Sequence, residues 1–169
     1  MTTAESGSLS SVALEEYLSL IDELLAQPFP QVNLYDHTGC GGPQHRVRIL
    51  RASQEFWDDD DGEAAREAGA ELRAYLDALI AALTARWGEP LVVDLLPYLR
   101  AGLEGEAVSE PINCLSQLAG SVQAWPHPDL GRWLGLAVGQ GDKELPLELL
   151  AAVGQTLPPE RSVRSVGRS

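Results

Sequence analysis

The side chains best suited to chemistry in this chain are crowded into one stretch, where His37, Cys40 and His45 surround the run Gly39-Cys40-Gly41-Gly42-Pro43. A glycine-rich hairpin turn there would fold two imidazoles and a thiolate around one ion, and Asp36 would complete a tetrahedral zinc set. The spacing matches no familiar zinc module, and hairpin tips collect glycine and polar residues for backbone reasons alone. No metal or other cofactor is therefore expected. The same atoms offer a second chemistry, a histidine and cysteine pair in which the imidazole holds the thiol as a nucleophilic thiolate. No third group that would orient the imidazole is identifiable.

A second candidate lies further along, where Arg132-Trp133-Leu134-Gly135-Leu136-Ala137-Val138 runs into Gly139-Gln140-Gly141-Asp142-Lys143-Glu144. Gln140, Asp142, Lys143 and Glu144 would form a polar recognition site beside Trp125 and Trp133, in the pattern of an aromatic anchor ringed by polar groups. The same residues also suit a plain strand-to-helix junction, with Gly139 and Gly141 permitting the bend and Asp142 feeding the helix N-terminus. The acidic run from Asp58 to Asp61 is not a calcium loop. With Gly62 in the sixth position the first and twelfth fall on Trp57 and Ala68, neither of which ligates calcium. A Walker lysine loop, a dinucleotide-binding glycine fingerprint, H-E-x-x-H, C-x-x-C and G-x-S-x-G are all missing, which lowers the standing of an enzyme reading.

These candidates must be held by a single domain. The chain has 169 residues, 44% of them hydrophobic, and a chain of this size buries enough surface for a core without metal or disulfide staples. No apolar run approaches the ~20 residues of a membrane span. Acidic side chains outnumber basic ones by 25 to 12, for a net charge of -13, so the field repels nucleic-acid phosphate and anionic lipid and selects a basic protein as partner. Arg161, Arg164 and Arg168 against Glu160 make the tail locally basic and leave the body more negative still. Residues 1–11 hold neither a basic nor an apolar stretch of the secretory kind, so a cytoplasmic setting is expected. In that setting Cys40 and Cys114, the two cysteines, are expected as separate thiols.

Periodicity supplies the elements. Leu14, Tyr17, Leu18, Ile21, Leu24 and Leu25 predict a helix over 12–27, and Leu72, Tyr75, Leu76, Leu79, Ile80, Leu83 and Trp87 predict the longest helix, entered through the acidic run. Alternation predicts strands on either side of the glycine-rich turn near Val32 and Val47, a buried strand over 91–96 and a second hairpin joining 122–125 to 132–139. A short helix over 111–119 and a proline-started helix from Leu145 to Gly154 complete the order αββαβαββα. The expected architecture is α+β, one domain over 12–157, about five mostly antiparallel strands and about four helices, between a flexible leader over 1–11 and a flexible basic tail over 158–169.

The helix ending Arg86-Trp87-Gly88-Glu89-Pro90, with Trp125, Gly131-Arg132-Trp133 and Gly139 through Pro146, resembles small acidic proteins of actinomycetes, a class loosely similar to polymorphic-toxin immunity proteins. The resemblance spans about residues 72–155 and implies a compact, acidic, non-enzymatic protein that binds a toxin domain. It carries over no site residue. The expected function is accordingly a protein-binding module neutralising a cationic partner. The alternatives are a small-molecule or metal-dependent enzyme at His37, Cys40 and His45, and an acidic scaffold subunit of a larger assembly.

Overall fold

The computed structural model describes residues 9–155 and 163–165. Most of the leader and of the basic tail expected from the sequence lies outside the described residues. Helix α1, Ser11–Ala26, buries Tyr17, Ile21, Leu24 and Leu25, and Ser10 caps it by accepting the Ala13 N–H at 3.1 Å. Its C-terminal carbonyls lack helical partners, and the Arg132 guanidinium takes them up, donating to Leu25 O at 2.9 Å and Gln27 O at 2.6 Å. The same guanidinium stacks 4.0 Å from the Phe29 ring centroid. Helix α2, Glu63–Trp87, buries Leu72, Tyr75, Leu76, Leu79 and Leu83. The Asp59 carboxylate accepts the Ala64 and Ala65 N–H groups at 3.1 and 3.0 Å, so part of the acidic run is a helix cap.

The strands are β1 (Leu34–Asp36), β2 (Gly39–Gly42), β3 (His45–Ala52), β4 (Leu91–Asp94), β5 (Ser121–His127), β6 (Arg132–Gln140), β7 (Leu147–Gly154) and β8 (Val163–Ser165). They form one sheet in the order β1-β2-β3-β7-β6-β5-β4-β8. Every neighbouring pair is antiparallel. Two further helices, α3 (Leu96–Leu103) and α4 (Ile112–Ser116), follow β4. The class is α+β, as read from the sequence, with, among the described residues, four α-helices and eight strands rather than about five.

Three differences account for the changed count. The segment expected to be the last helix is β7, the central strand, where Leu149, Ala151 and Val153 join the core beneath α1 and α2 while Leu150 and Ala152 join the core on the opposite face. A strand buried on both faces reads as a continuous apolar run, and Pro146 precedes it as a strand boundary rather than opening a helix. The glycine-rich stretch expected as a turn is β2 itself, with turns at His37-Thr38 and Pro43-Gln44 on either side. Gly39 is required there, because its φ is +146° and a Cβ would run into the Val47 carbonyl, while at Gly42 a Cβ would press on the Asn33 and His45 side chains at 2.6 and 2.9 Å. Finally, residues 163–165 of the expected flexible tail pair with β4 as an edge strand.

Both faces of the sheet are covered, α1 and α2 over one and α3, α4 and their connections over the other. The small residues Gly135, Ala137 and Gly139 of β6 lie on the α4 face with Trp133, while Leu134, Leu136 and Val138 point toward α1 and α2. A Cβ at Gly135 would meet the Trp133 ring and Val122 at 2.8 Å, and one at Gly139 would meet Leu118 at 2.9 Å. Glycine therefore lets the indole lie flat on the sheet and brings the end of α4 down onto β6.

Candidate functional site

Cys40 stands in β2 opposite Val47, and so faces the side of the sheet on which α4 lies. Helix α4 carries Cys114, whose backbone N–H donates to Glu110 Oε1 at 3.0 Å, while Glu110 Oε2 accepts from Asn113 Nδ2 at 3.1 Å. The result places the two sulfurs 3.9 Å apart, although 74 positions separate them in sequence. Both are free thiols, half-buried at the head of a cleft of about 520 Å³. Leu34 and Tyr35 of β1 form one wall, α4 the other, and Glu148 of β7 and Ile49 of β3 lie on the floor side.

The electrostatics of the two thiols diverge. Cys40 is held well below the ordinary thiol range, to about 5, first by the hydrogen bond from the Cys114 thiol and next by the hydrogen bond from the His45 imidazole, against burial and the Glu110 charge. Cys114 is pushed upward, first by its bond to the Cys40 sulfur and then by burial. The pair is thus asymmetric, with Cys40 favoured as the thiolate and Cys114 as the protonated donor. Glu148 is also raised, by burial in the cleft floor.

Of the residues singled out around the hairpin, Cys40 and His45 are brought together and His37 is not. His45 is 7% exposed, seated at the start of β3 against Gly42, whereas His37 lies exposed in the β1–β2 turn. Asp36 is engaged in that turn, accepting from Thr38 N at 2.8 Å and Thr38 Oγ1 at 2.6 Å, and these bonds hold its carboxyl below the usual range. Among the described residues no group of three His, Cys, Asp or Glu side chains is gathered as an ion's ligand set. The zinc arrangement of His37, Cys40, His45 and Asp36 therefore does not form. The partner the sequence failed to supply for Cys40 is Cys114, invisible in a local motif because the contact crosses from sheet to helix.

The second candidate is also rearranged. Trp125 and Trp133 are each 1% exposed and belong to cores on opposite faces of the sheet, so neither ring flanks the polar loop. Trp125 donates its indole N–H to Gly88 O at 2.8 Å and meets Trp87 edge-on. Gln140 is spent on the loop itself, donating to Leu145 O at 2.9 Å and Lys143 O at 3.3 Å, while Asp142 Oδ1 accepts the Lys143 N–H. The aromatic beside this loop is instead Trp57, 64% exposed, in the segment between β3 and α2. The Phe56 N–H donates to Glu144 O at 2.9 Å, which binds that segment to the β6–β7 loop, and Glu55, Asp58 and Asp59 line a shallow surface hollow with the exposed indole. The Trp57 ring is steadied by its N–H bond to Glu55 Oε1 at 3.1 Å.

Among the described residues no helix is long and apolar enough to cross a membrane. Comparison with known protein families, with curated proteins and with solved structures finds no match.

Proposed function

We propose that this chain is a non-enzymatic protein-binding module that engages a cationic segment of another protein, in the manner of an immunity protein neutralising a basic toxin domain in the cytoplasm. The observation that supports the reading best is the exposed Trp57 indole amid Glu55, Asp58 and Asp59, on a segment tied by a backbone hydrogen bond to the loop that carries Asp142 and Glu144. An indole face attracts a guanidinium or ammonium, and surrounding carboxylates supply charge-assisted acceptors, so the pair favours an arginine- or lysine-bearing surface. The net charge of -13 adds long-range attraction that speeds encounter and discriminates against anionic competitors. Lys143, exposed in the loop, offers one donor to an acidic residue at the partner's rim.

The test compares the immobilised chain with the triple variant Trp57→Ala, Asp142→Ala, Glu144→Ala in lysate of the source organism, at low and high salt, with retained proteins identified by mass spectrometry. A basic partner is expected, released as salt shortens the ~8 Å Debye length of physiological buffer and retained about tenfold or more weakly by the variant, a loss of about 1.4 kcal/mol. Retention that ignores both salt and the substitutions, or a partner that is itself acidic, overturns the reading.

A further inference from the structure

We propose that Cys40 and Cys114 form a reactive dithiol that a neutral hydroperoxide oxidises to a disulfide joining β2 to α4. The site shares no residue with the acidic loop patch, and the inference stands whether or not that patch binds a partner. Four observations converge on it. The sulfurs are 3.9 Å apart and both free, so forming a bond of about 2.05 Å asks for about 1.9 Å of approach, within reach of side-chain rotation. They face an open cleft rather than sealed core, and each side chain is partly exposed. His45 is buried, stands diagonally across the β2–β3 pair from Cys40 and lines the same cleft. Finally, Glu110, Glu148 and Asp36 line the same cleft, and their field opposes an anionic oxidant such as oxidised glutathione while leaving an uncharged peroxide unaffected.

The roles follow from the asymmetry of the pair. Cys40 thiolate attacks one peroxide oxygen, forming an S–O bond and breaking the O–O bond, and the departing oxygen takes a proton and leaves as water or an alcohol. Cys40 is then a sulfenic acid. The Cys114 sulfur attacks it, the S–S bond forms as the S–O bond breaks, and the hydroxyl leaves as water with the Cys114 proton. The cysteines together lose two electrons and the peroxide gains them. The change is a stoichiometric modification of this chain, reversed by a dithiol reductant.

The experiment treats the purified full-length chain with hydrogen peroxide and, separately, with oxidised glutathione, following intact mass, free thiols and peptide maps. Peroxide is expected to remove both thiols together with a pair of hydrogens and to yield a linked peptide containing Cys40 and Cys114. Oxidised glutathione is expected to act several-fold more slowly. Cys114→Ser should stop at a dimedone-reactive sulfenic acid on Cys40, whereas Cys40→Ser should leave Cys114 unreacted at the same dose. Wild-type protein tests the roles without any substitution, since iodoacetamide should label Cys40 before Cys114 and prior peroxide should block it. Oxygen adducts without a linkage, thiols that react only after denaturation, or equal peroxide sensitivity in the two variants would overturn the dithiol. Labelling of Cys114 first overturns the assignment of roles, and oxidised glutathione reacting as fast as peroxide overturns the choice of oxidant.

Discussion

Closing the Cys40–Cys114 bond should make the chain measurably harder to unfold, and the structure sets the size of the effect. The sulfurs are separated by 74 positions, and a cross-link over a loop of that length removes chain entropy from the unfolded state equivalent to about 4.5 kcal/mol at room temperature. Against this stands the strain of drawing the side chains together from 3.9 Å, with off-rotamer torsions costing about 0.5 to 1.5 kcal/mol each. The net is about 2 to 4 kcal/mol, which for a domain of this size corresponds to a rise of about 5 to 15 °C in Tm. Circular dichroism melts of the peroxide-treated chain, with and without a dithiol reductant, measure it. Cys114→Ser carried through the same treatment should show no rise. An oxidised wild type that melts at or below the reduced protein would mean that the native backbone resists the bond, and the argument from sulfur proximity would be wrong.

Further outcomes follow from the packing and the buried charge. Leu79 is fully buried in the core between α2 and the sheet, so Leu79→Ala should cost about 2 to 5 kcal/mol in denaturant unfolding, and a variant melting with wild type would contradict that placement. Gly154→Ala would set a methyl 2.7 Å from both Pro111 Cδ and Trp133 Nε1, for an overpacking cost of about 1 to 3 kcal/mol with altered tryptophan fluorescence. At Gly120 a Cβ meets nothing within 4 Å, so Gly120→Ala should stay within about 0.5 kcal/mol of wild type, and the reverse order of these two alanine variants would refute the packing. Burial raises the folded pKa of Glu148 above the ordinary 4.5, so its protonated form favours the folded state at low pH and that contribution is lost as pH rises through the folded value. Glu148→Gln should therefore melt above wild type at neutral pH, by a margin that shrinks on acidification, and an equal or lower neutral Tm would sink the assignment.

The parts of this fold legible in the sequence are those whose two faces differ. Helices α1 and α2 bury one face against a core and show their period plainly, and the β5–β6 hairpin, though buried on both faces, is marked by its turn and by the division of β6 into Gly135, Ala137 and Gly139 on one face and Leu134, Leu136 and Val138 on the other. Strand β7 has no solvent face, so its Leu149 to Val153 run carries no polar alternation and suits a helix equally well by composition. Strand β2 is hidden differently, since glycine is usually depleted in strands and here serves the close approach of Asn33 and His45. At the sites, Cys40 and His45 are near neighbours in sequence and their association could be read there. Cys114 and the Trp57 segment reach their partners through tertiary contacts that no local spacing encodes.

The central place of β7 also bears on how the chain is made. β3 and β6 each pair with β7, and without it the sheet is two separate meanders with no shared strand. About 95 residues lie between the end of β3 and the start of β7, so at ordinary synthesis speeds of about 5 to 20 residues per second the first meander waits roughly 5 to 20 s for its neighbour. During that interval β3 holds Val47 and Leu50 beside an unpaired backbone edge, the condition under which strands of different chains join. A nascent chain halted before Leu147 would leave open the edges of β3 and β6 that β7 covers and the edge of β4 that β8 covers, and would rely on chaperone cover at all three.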